Sequence, residues 1–346
     1  MAPFRVGIIG CGRPWKSEGA TGFGMSNAHA RGYEASPDAA IVALSDINLE
    51  NARAFQEAHG GEQIYADYHE MLEKERLDIV SISTWPHLHA EMVIAAAEAG
   101  VKAIHCEKPM APTYGEARRM VEICRERRAQ LTFNHQRRFG GAFQKARELL
   151  RSGAIGQLQR MEATCPDLFD WGTHWFDMLF FYNDETPAEW VIGQVDPRDG
   201  RTVFGVRLEG QGLSFFQYQN GVTGLLMTRA EGPWRAINRL IGSDGTIEVS
   251  LGQGPPLRMW TKGQSEWQAV PFAPDNGGDL GDPVSKGVLD LIDALKTGRE
   301  PELSGRKALQ ATELIFATYE SSRRRGRVDL PLDIDDSPFL AMLQQD

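Results

Sequence analysis

The chain has 346 residues, 42% of them hydrophobic and 24% charged, which is the composition of a soluble globular protein of about two domains at roughly 150 residues each. Forty-seven acidic against 37 basic residues leave a net charge of −10, which argues against a nucleic-acid partner, because phosphate contacts need a basic excess. No stretch approaches the ~18 consecutive apolar residues of a membrane helix.

Arg5-Val6-Gly7-Ile8-Ile9 reads as a buried strand rather than a leader segment, so a cytoplasmic chain is expected. Val- and Ile-rich runs recur at residues 6–9, 40–44, 79–82, 103–105 and 131–133, and helical patterns fill 49–59, 90–99 and 116–127. Asn48 is placed to cap the first of these helices, Gly100 to end the second, and Thr113 with Glu116 to form a capping box on the third. Continuous apolar strands separated by helices imply a parallel sheet covered on both faces. The prediction is an α/β chain whose residues 1–134 form a doubly wound parallel-sheet domain of the Rossmann type.

From residue 157 the character changes. Strand-like runs at 191–195, 203–208, 213–218, 222–228 and 246–249 are separated by Asp199-Gly200, Asn220-Gly221 and Asp244-Gly245, which read as hairpin turns. The stretch 273–282 is Gly- and Asp-rich and reads as a surface loop, and helices over 283–297 and 304–324 follow. Residues 135–346 are therefore predicted to be an α+β domain with a mainly antiparallel sheet. Cys11, Cys106, Cys124 and Cys165 show neither metal nor disulfide spacing and suit a reducing compartment. His87 with His89, and His105 with Cys106, offer no closed ligand set, so no metal is expected.

Gly7-Ile8-Ile9-Gly10-Cys11-Gly12 lies where the first strand enters its turn, the place where glycines let the backbone approach a pyrophosphate. The literal fingerprint fails, because Trp15 stands at the third glycine position. A second glycine-rich segment, Gly19-Ala20-Thr21-Gly22-Phe23-Gly24-Met25-Ser26, precedes the helix, which reads as roughly eleven residues inserted into the phosphate turn. Ser26 then takes the place of the third small residue and is expected to serve as N-cap. Asp46, at the end of the second strand, is placed to accept from ribose hydroxyls and to repel a 2′-phosphate, favouring NAD over NADP while leaving NADP possible.

Glu107-Lys108-Pro109 follows at the carboxyl end of a parallel strand, where open α/β sheets bind ligands. Together with Gly10-Cys11-Gly12, Pro86, His89, Asp170-Trp171-Gly172-Thr173-His174 and the Gly242-Ser243-Asp244-Gly245-Thr246-Ile247-Glu248 hairpin, this resembles the Gfo/Idh/MocA family of oxidoreductases over nearly the whole chain. The resemblance implies a nicotinamide enzyme acting on sugars, polyols or their derivatives, the first domain binding the dinucleotide and the second the substrate, with a large open sheet joining subunits into a dimer or tetramer. It implies that Lys108, Asp170 and His174 are catalytic, and that Pro86, His89, Glu107 and Lys108 join Gly10, Gly12, Ser26 and Asp46 around the cofactor. Arg137 or Arg138 falls where the family places a substrate- or cofactor-proximal residue, Arg137 being the one assigned to substrate with Trp171.

Oxidising an alcohol needs a base for the hydroxyl proton, which imidazole suits, and a cation for the developing alkoxide, which lysine suits. A lysine beside His174 would also keep the imidazole neutral, and Asp170 shares a face with His174 if that segment is helical. The bland alternatives are a surface lysine, a satisfied half-buried histidine, and an Asp170 that only caps the following helix. Trp85, Trp171 and Trp175 read either as core aromatics or as platforms for a sugar ring. The expected function is an NAD-dependent dehydrogenase; the alternatives are a glycosidase or lyase that oxidises its sugar transiently, or a non-catalytic regulatory module.

Overall fold

The computed structural model describes residues 2–14, 16–20, 22–229, 238–250, 254–273 and 282–344; Trp15, and the loop expected at 273–282 beyond its first and last residues, lie outside them. The elements begin with β1 (Phe4–Ile9), α1 (Met25–Glu34), β2 (Ala39–Ser45), α2 (Leu49–His59), β3 (Gln63–Tyr65) and α3 (Tyr68–Lys74). They continue with β4 (Ile79–Ile82), α4 (Pro86–Glu98), β5 (Ala103–Cys106), α5 (Tyr114–Arg127) and β6 (Gln130–Phe133). After a 3-10 turn at Gln136–Phe139 come α6 (Gly141–Arg151), β7 (Leu158–Cys165), α7 (Gly172–Tyr182), β8 (Ala188–Asp196), β9 (Thr202–Val203) and β10 (Val206–Arg207). Then follow β11 (Gln211–Tyr218), β12 (Thr223–Thr228), β13 (Asn238–Gly242), β14 (Gly245–Val249), β15 (Leu257–Thr261) and β16 (Gln268–Ala269). The chain closes with α8 (Asp282–Thr297), α9 (Gly305–Arg324), β17 (Val328–Asp329) and α10 (Pro338–Leu343).

Two compact units divide these elements. The first takes the described residues of Met1–Pro112, Glu116–Gln136 and Asp275–Ala308. Its six strands are all parallel in the order β3-β2-β1-β4-β5-β6, the doubly wound Rossmann arrangement. Every residue of β4 and β5 is buried, as expected of central strands with helices on both faces. Asn48 caps α2 by accepting from Glu50 N–H, and Gly100, at φ 85°, ends α4 by donating to Ala97 O.

A single boundary at 134/135 assigns α8 to the second domain, whereas α8 packs in the first unit. The reason is apolar: Val288, Leu291 and Ile292 are buried in one cluster with Val6, Ala30, Tyr33 and Leu44. Gly32 of α1 lets the two helices meet, since a Cβ there would lie 2.6 Å from Val288 Cβ.

The second unit takes the described residues of Thr113–Gly115, Arg137–Pro274 and Leu309–Asp346. It holds a nine-stranded sheet in the order β16-β15-β14-β13-β7-β12-β11-β8-β17, antiparallel at every pairing except β7 with β12. One face buries Met161, Phe216 and Leu226 in a cluster with Trp175 and Phe180 of α7 and Leu314 and Phe316 of α9. Asn220-Gly221 and Asp244-Gly245 do turn hairpins, joining β11 to β12 and β13 to β14. Asp199-Gly200 does not, because β8 pairs with β11 and β17 and not with β9, and the expected strand over 203–208 is a separate two-residue pairing of β9 with β10. No helix among the described residues is long and apolar enough to cross a membrane.

Replacing Gly32 by Ala should lower stability by about 1–3 kcal/mol through overpacking against Val288. Val288→Ala in that background should return part of the loss. Urea unfolding of the two single variants and the double variant, read as a thermodynamic cycle, checks this.

Candidate functional site

The glycine turn is shaped by close backbone approach. Gly10 has φ 81°, and a Cβ there would lie 2.8 Å from Ser83 O, so a side chain is barred. Gly12 has φ 56°, and a Cβ there would project into open space, Gly24 Cα at 3.7 Å being its nearest neighbour. That space is what a diphosphate needs, so the turn fits a dinucleotide. Gly12 N–H donates to Asp46 Oδ2 at 3.0 Å, and Asn48 N–H donates to Asp46 Oδ1 at 2.8 Å. Asp46 is half-buried, and each of its oxygens keeps a lone pair for a ribose diol.

Ser26 is not the N-cap. Gly24 occupies that position in the left-handed region, and Ser26, fully buried in the first turn of α1, donates its hydroxyl to Cys11 O. Its role is to tie the helix to the glycine turn.

At the carboxyl end of β5, Glu107 is 7% exposed. His29 Nε2 (2.9 Å) and Asn134 Nδ2 (2.7 Å) both donate to its Oε1, while Lys108 N–H donates to Oε2 at 3.2 Å. Burial opposes ionisation here, but His29, Asn134 and Lys108 outweigh it and hold the carboxyl down at about 2. Lys108 is half-buried and precedes a cis peptide bond to Pro109.

His89, expected among the cofactor contacts, is fully buried with Nδ1 2.9 Å from Pro109 O and Nε2 3.2 Å from Thr84 O. Burial lowers its pKa, and its ring braces the loop after β4 against the Lys108-Pro109 turn. Pro86 opens α4 and is buried. Trp85 beside it is 43% exposed.

In the second unit, Asp170 and His174 are buried, yet Asp170 lies in the turn before α7 rather than on the helix. Asp170 does not cap α7 either: the capping position is Trp171, with no side-chain cap. The turn is organised by Asp167, whose Oδ1 accepts from Asp170 N–H at 2.6 Å and Trp171 N–H at 3.0 Å, while Arg201 holds Oδ2 at 2.8 Å. Glu209 anchors the same turn, accepting from Leu168 N–H and from Tyr319 Oη at 2.7 Å. Burial pushes the pKa of both acids up, and Asp170 adds to the effect at Asp167.

The two candidate arginines separate cleanly. Arg138 is fully buried, with Nε and Nη2 each 2.8 Å from the Asp177 carboxylate and Glu185 on Nη1. It is a core ion pair. Arg137 is half-buried, its guanidinium carbon 4.7 Å from the Trp175 ring centroid and 5.7 Å from that of Trp171. Trp175 is fully buried and belongs to the core, whereas Trp171 is half-buried.

His29, Asn134, Asp167 and Glu209 were not singled out by sequence reasoning. Asn134 lies three residues before Arg137 and Asp167 three before Asp170, but nothing local marks the partners of His29 or Glu209, which lie 78 and 110 residues away in Glu107 and Tyr319. Among the described residues, no cluster of His, Cys, Asp and Glu could hold a metal ion.

A six-stranded parallel sheet in Rossmann order, with a glycine turn after β1 and a carboxylate after β2, defines a dinucleotide-binding protein. Residues 4–135 match the sequence model of the Gfo/Idh/MocA oxidoreductase family, with an NAD-binding Rossmann fold. The chain is 28% identical to D-apiose dehydrogenase of Paraburkholderia graminis, over 94% of this chain and 90% of that protein. It is 25% identical to myo-inositol 2-dehydrogenase of Thermotoga maritima, over 94% of this chain and 98% of that protein. In fold it is similar to levoglucosan dehydrogenase in complex with NADH and L-sorbose, with a TM-score of 0.80 at 22% identity, over 96% of this chain and all (100%) of that one.

Because the folded pKa of Glu107 lies below its ordinary 4.5, the native state binds fewer protons than the unfolded chain between about pH 5 and pH 2. The stability it contributes is therefore present above that window and lost as pH falls through it. Glu107→Gln should be less stable than wild type at pH 7 and show a flatter acid limb. Urea unfolding at intervals from pH 7 to pH 3 reads this directly.

Proposed function

We propose that the protein is an NAD-dependent dehydrogenase or reductase that moves a hydride between nicotinamide and the CH–OH carbon of a sugar, polyol or glycoside. The observation that carries this is the buried Glu107, held by His29, Asn134 and the Lys108 N–H, beside Lys108 at the carboxyl end of an NAD-binding sheet. The dehydrogenases of D-apiose and myo-inositol to which the chain is similar support the substrate class.

Bound NAD supplies the hydride acceptor. Gly10 and Gly12 receive the diphosphate, Asp46 takes the adenosine ribose and disfavours a 2′-phosphate, and Pro86 and Glu107 border the nicotinamide end. Lys108 donates to the substrate oxygen and stabilises the alkoxide; His174 takes the hydroxyl proton; Asp170, Arg137 and Trp171 hold the remaining hydroxyls and ring. The setting is a reducing cytoplasm, consistent with four buried free cysteines whose thiols burial pushes up, Cys124 to about 12.

The working form is a homo-oligomer, a dimer or tetramer, joined through the open face of the nine-stranded sheet. Supporting this, Ile192, Leu213 and Met227 are 48%, 41% and 41% exposed on that face, where Ile192 pairs with Phe215 and Leu213 with Met227 across neighbouring strands.

Absorbance at 340 nm should rise when NAD meets one class in a panel of polyols, aldoses and glycosides. Lys108→Ala should reduce the rate by about 100-fold or more, as expected when a group stabilising the alkoxide is removed. NADP should be the poorer cofactor. Glycoside cleavage without net NADH would instead support transient oxidation within a hydrolase or lyase cycle, and unchanged biological output from Lys108→Ala would support a sensor.

Light scattering during gel filtration should give a mass of at least two chains. Leu213→Lys with Met227→Lys should shift it to one chain without loss of helical signal, while a monomeric wild type would refute the proposed interface.

A further inference from the structure

We propose that His29 is a positioning residue for the cofactor reaction, one that fixes Glu107 and the Lys108 backbone relative to the phosphate-binding turn. The inference rests on the NAD-dehydrogenase reading above and adds to it a residue outside the expected site.

The imidazole is fully buried on α1 and is held at both ring nitrogens. A carboxylate only accepts, so Nε2 carries a proton and donates to Glu107 Oε1 at 2.9 Å, while Nδ1 meets the Ser81 hydroxyl of β4 at 2.8 Å and the Ser83 hydroxyl at 3.4 Å. With Asn134 Nδ2 on the same oxygen at 2.7 Å, Oε1 is committed to donors from inside the unit, and Oε2 is left on the side of Lys108 N–H.

The sequence of groups Ser81, His29, Glu107 has the order of a nucleophile, base and acid. With Ser81 and His29 at 0% exposure no substrate reaches the hydroxyl, so these three groups do not act as a hydrolytic triad.

What gives the arrangement consequence is the helix that carries it. Ser26 and His29 are three residues apart on α1 and so share a face. Ser26 grips Cys11 O in the glycine turn, and His29 grips Glu107. One turn of rigid helix thus sets the position of the phosphate-binding loop and of the carboxylate next to Lys108. A well-packed aliphatic side chain would fill the same space without the cost of burying an imidazole. The donor is what the site requires, since losing it leaves a dry carboxylate short of one charge-assisted bond.

The test uses His29→Leu, which fills the volume without a donor, and His29→Gln, whose terminal amide places an N–H near the position of Nε2. NADH fluorescence titration gives the dissociation constant, and thermal unfolding is followed in parallel. The Leu variant should bind NADH about tenfold or more weakly, the loss expected for one hydrogen bond to a charged group, and Gln should restore affinity to within about threefold of wild type.

If Leu does not fold, His29→Asn takes its place, because its amide is too short to reach Glu107. A donorless variant with wild-type affinity overturns the proposal. So does a Gln variant as weak as Leu while unfolding at the wild-type temperature. A wild-type protein that binds no NADH overturns the parent reading instead, and that result is seen before any variant is compared.

Discussion

An ionised carboxylate in a dry environment is among the costliest groups a protein can bury, and in the first unit Glu107 is such a group. It keeps its charge because three donors converge on it, from α1, from the end of β6 and from the backbone of Lys108. No local segment could assemble that set. It requires β4 to lie between β1 and β5, so that α1 can lay His29 over Ser81 and reach the end of β5, and it requires β6 to end beside β5, so that Asn134 points back. The strand order is therefore a condition for the charge, and the charge is a condition for a fixed Lys108 backbone.

The second unit uses buried acids differently. Asp167 and Glu209 also accept backbone N–H groups and hold the turn carrying Asp170 and Trp171. There burial prevails over the donors, and a neighbouring acid adds to it at both positions, so both groups move toward the neutral form. An acid that must stay charged is surrounded by donors, including an imidazole. An acid that only has to hold a loop can manage with backbone amides, one arginine or one tyrosine.

Much of the first unit was legible in the sequence because buried parallel strands read as unbroken Val and Ile runs, which is why β4 is bounded by the same residues in sequence and structure. β3, three residues long, gives no pattern to detect. β7 was hidden for another reason: on one face it carries Arg160 and Glu162, and Glu162 continues through Arg239, Glu248 and Arg258 as ion pairs across β13, β14 and β15. A strand whose outward residues are charged loses the apolar signal, although opposite charges directly across a ladder stabilise it. Of the candidate site, Lys108, Asp46 and the glycines stand out in the sequence because the patterns that mark them are local. The choice between Arg137 and Arg138 was not, since only tertiary structure shows Arg138 sealed between Asp177 and Glu185.

The phosphate turn shows how a motif can survive an interruption that defeats its spacing. The inserted segment leaves at Arg13 and returns at Gly24, and the two ends touch: a Cβ on Gly24 would lie 2.2 Å from Arg13 O. Closing a loop on itself costs an entropy that rises only slowly with length. The insertion is therefore tolerated provided its ends meet as the uninterrupted turn's would. Gly24, at φ 60°, satisfies that condition, and two residues later Ser26 binds Cys11 O and restores the helix to the turn. The third small residue of the fingerprint has been displaced along the chain while its place in space is kept. What the dinucleotide fold conserves here is the closeness of a helix to a glycine turn, and sequence spacing is only its usual consequence.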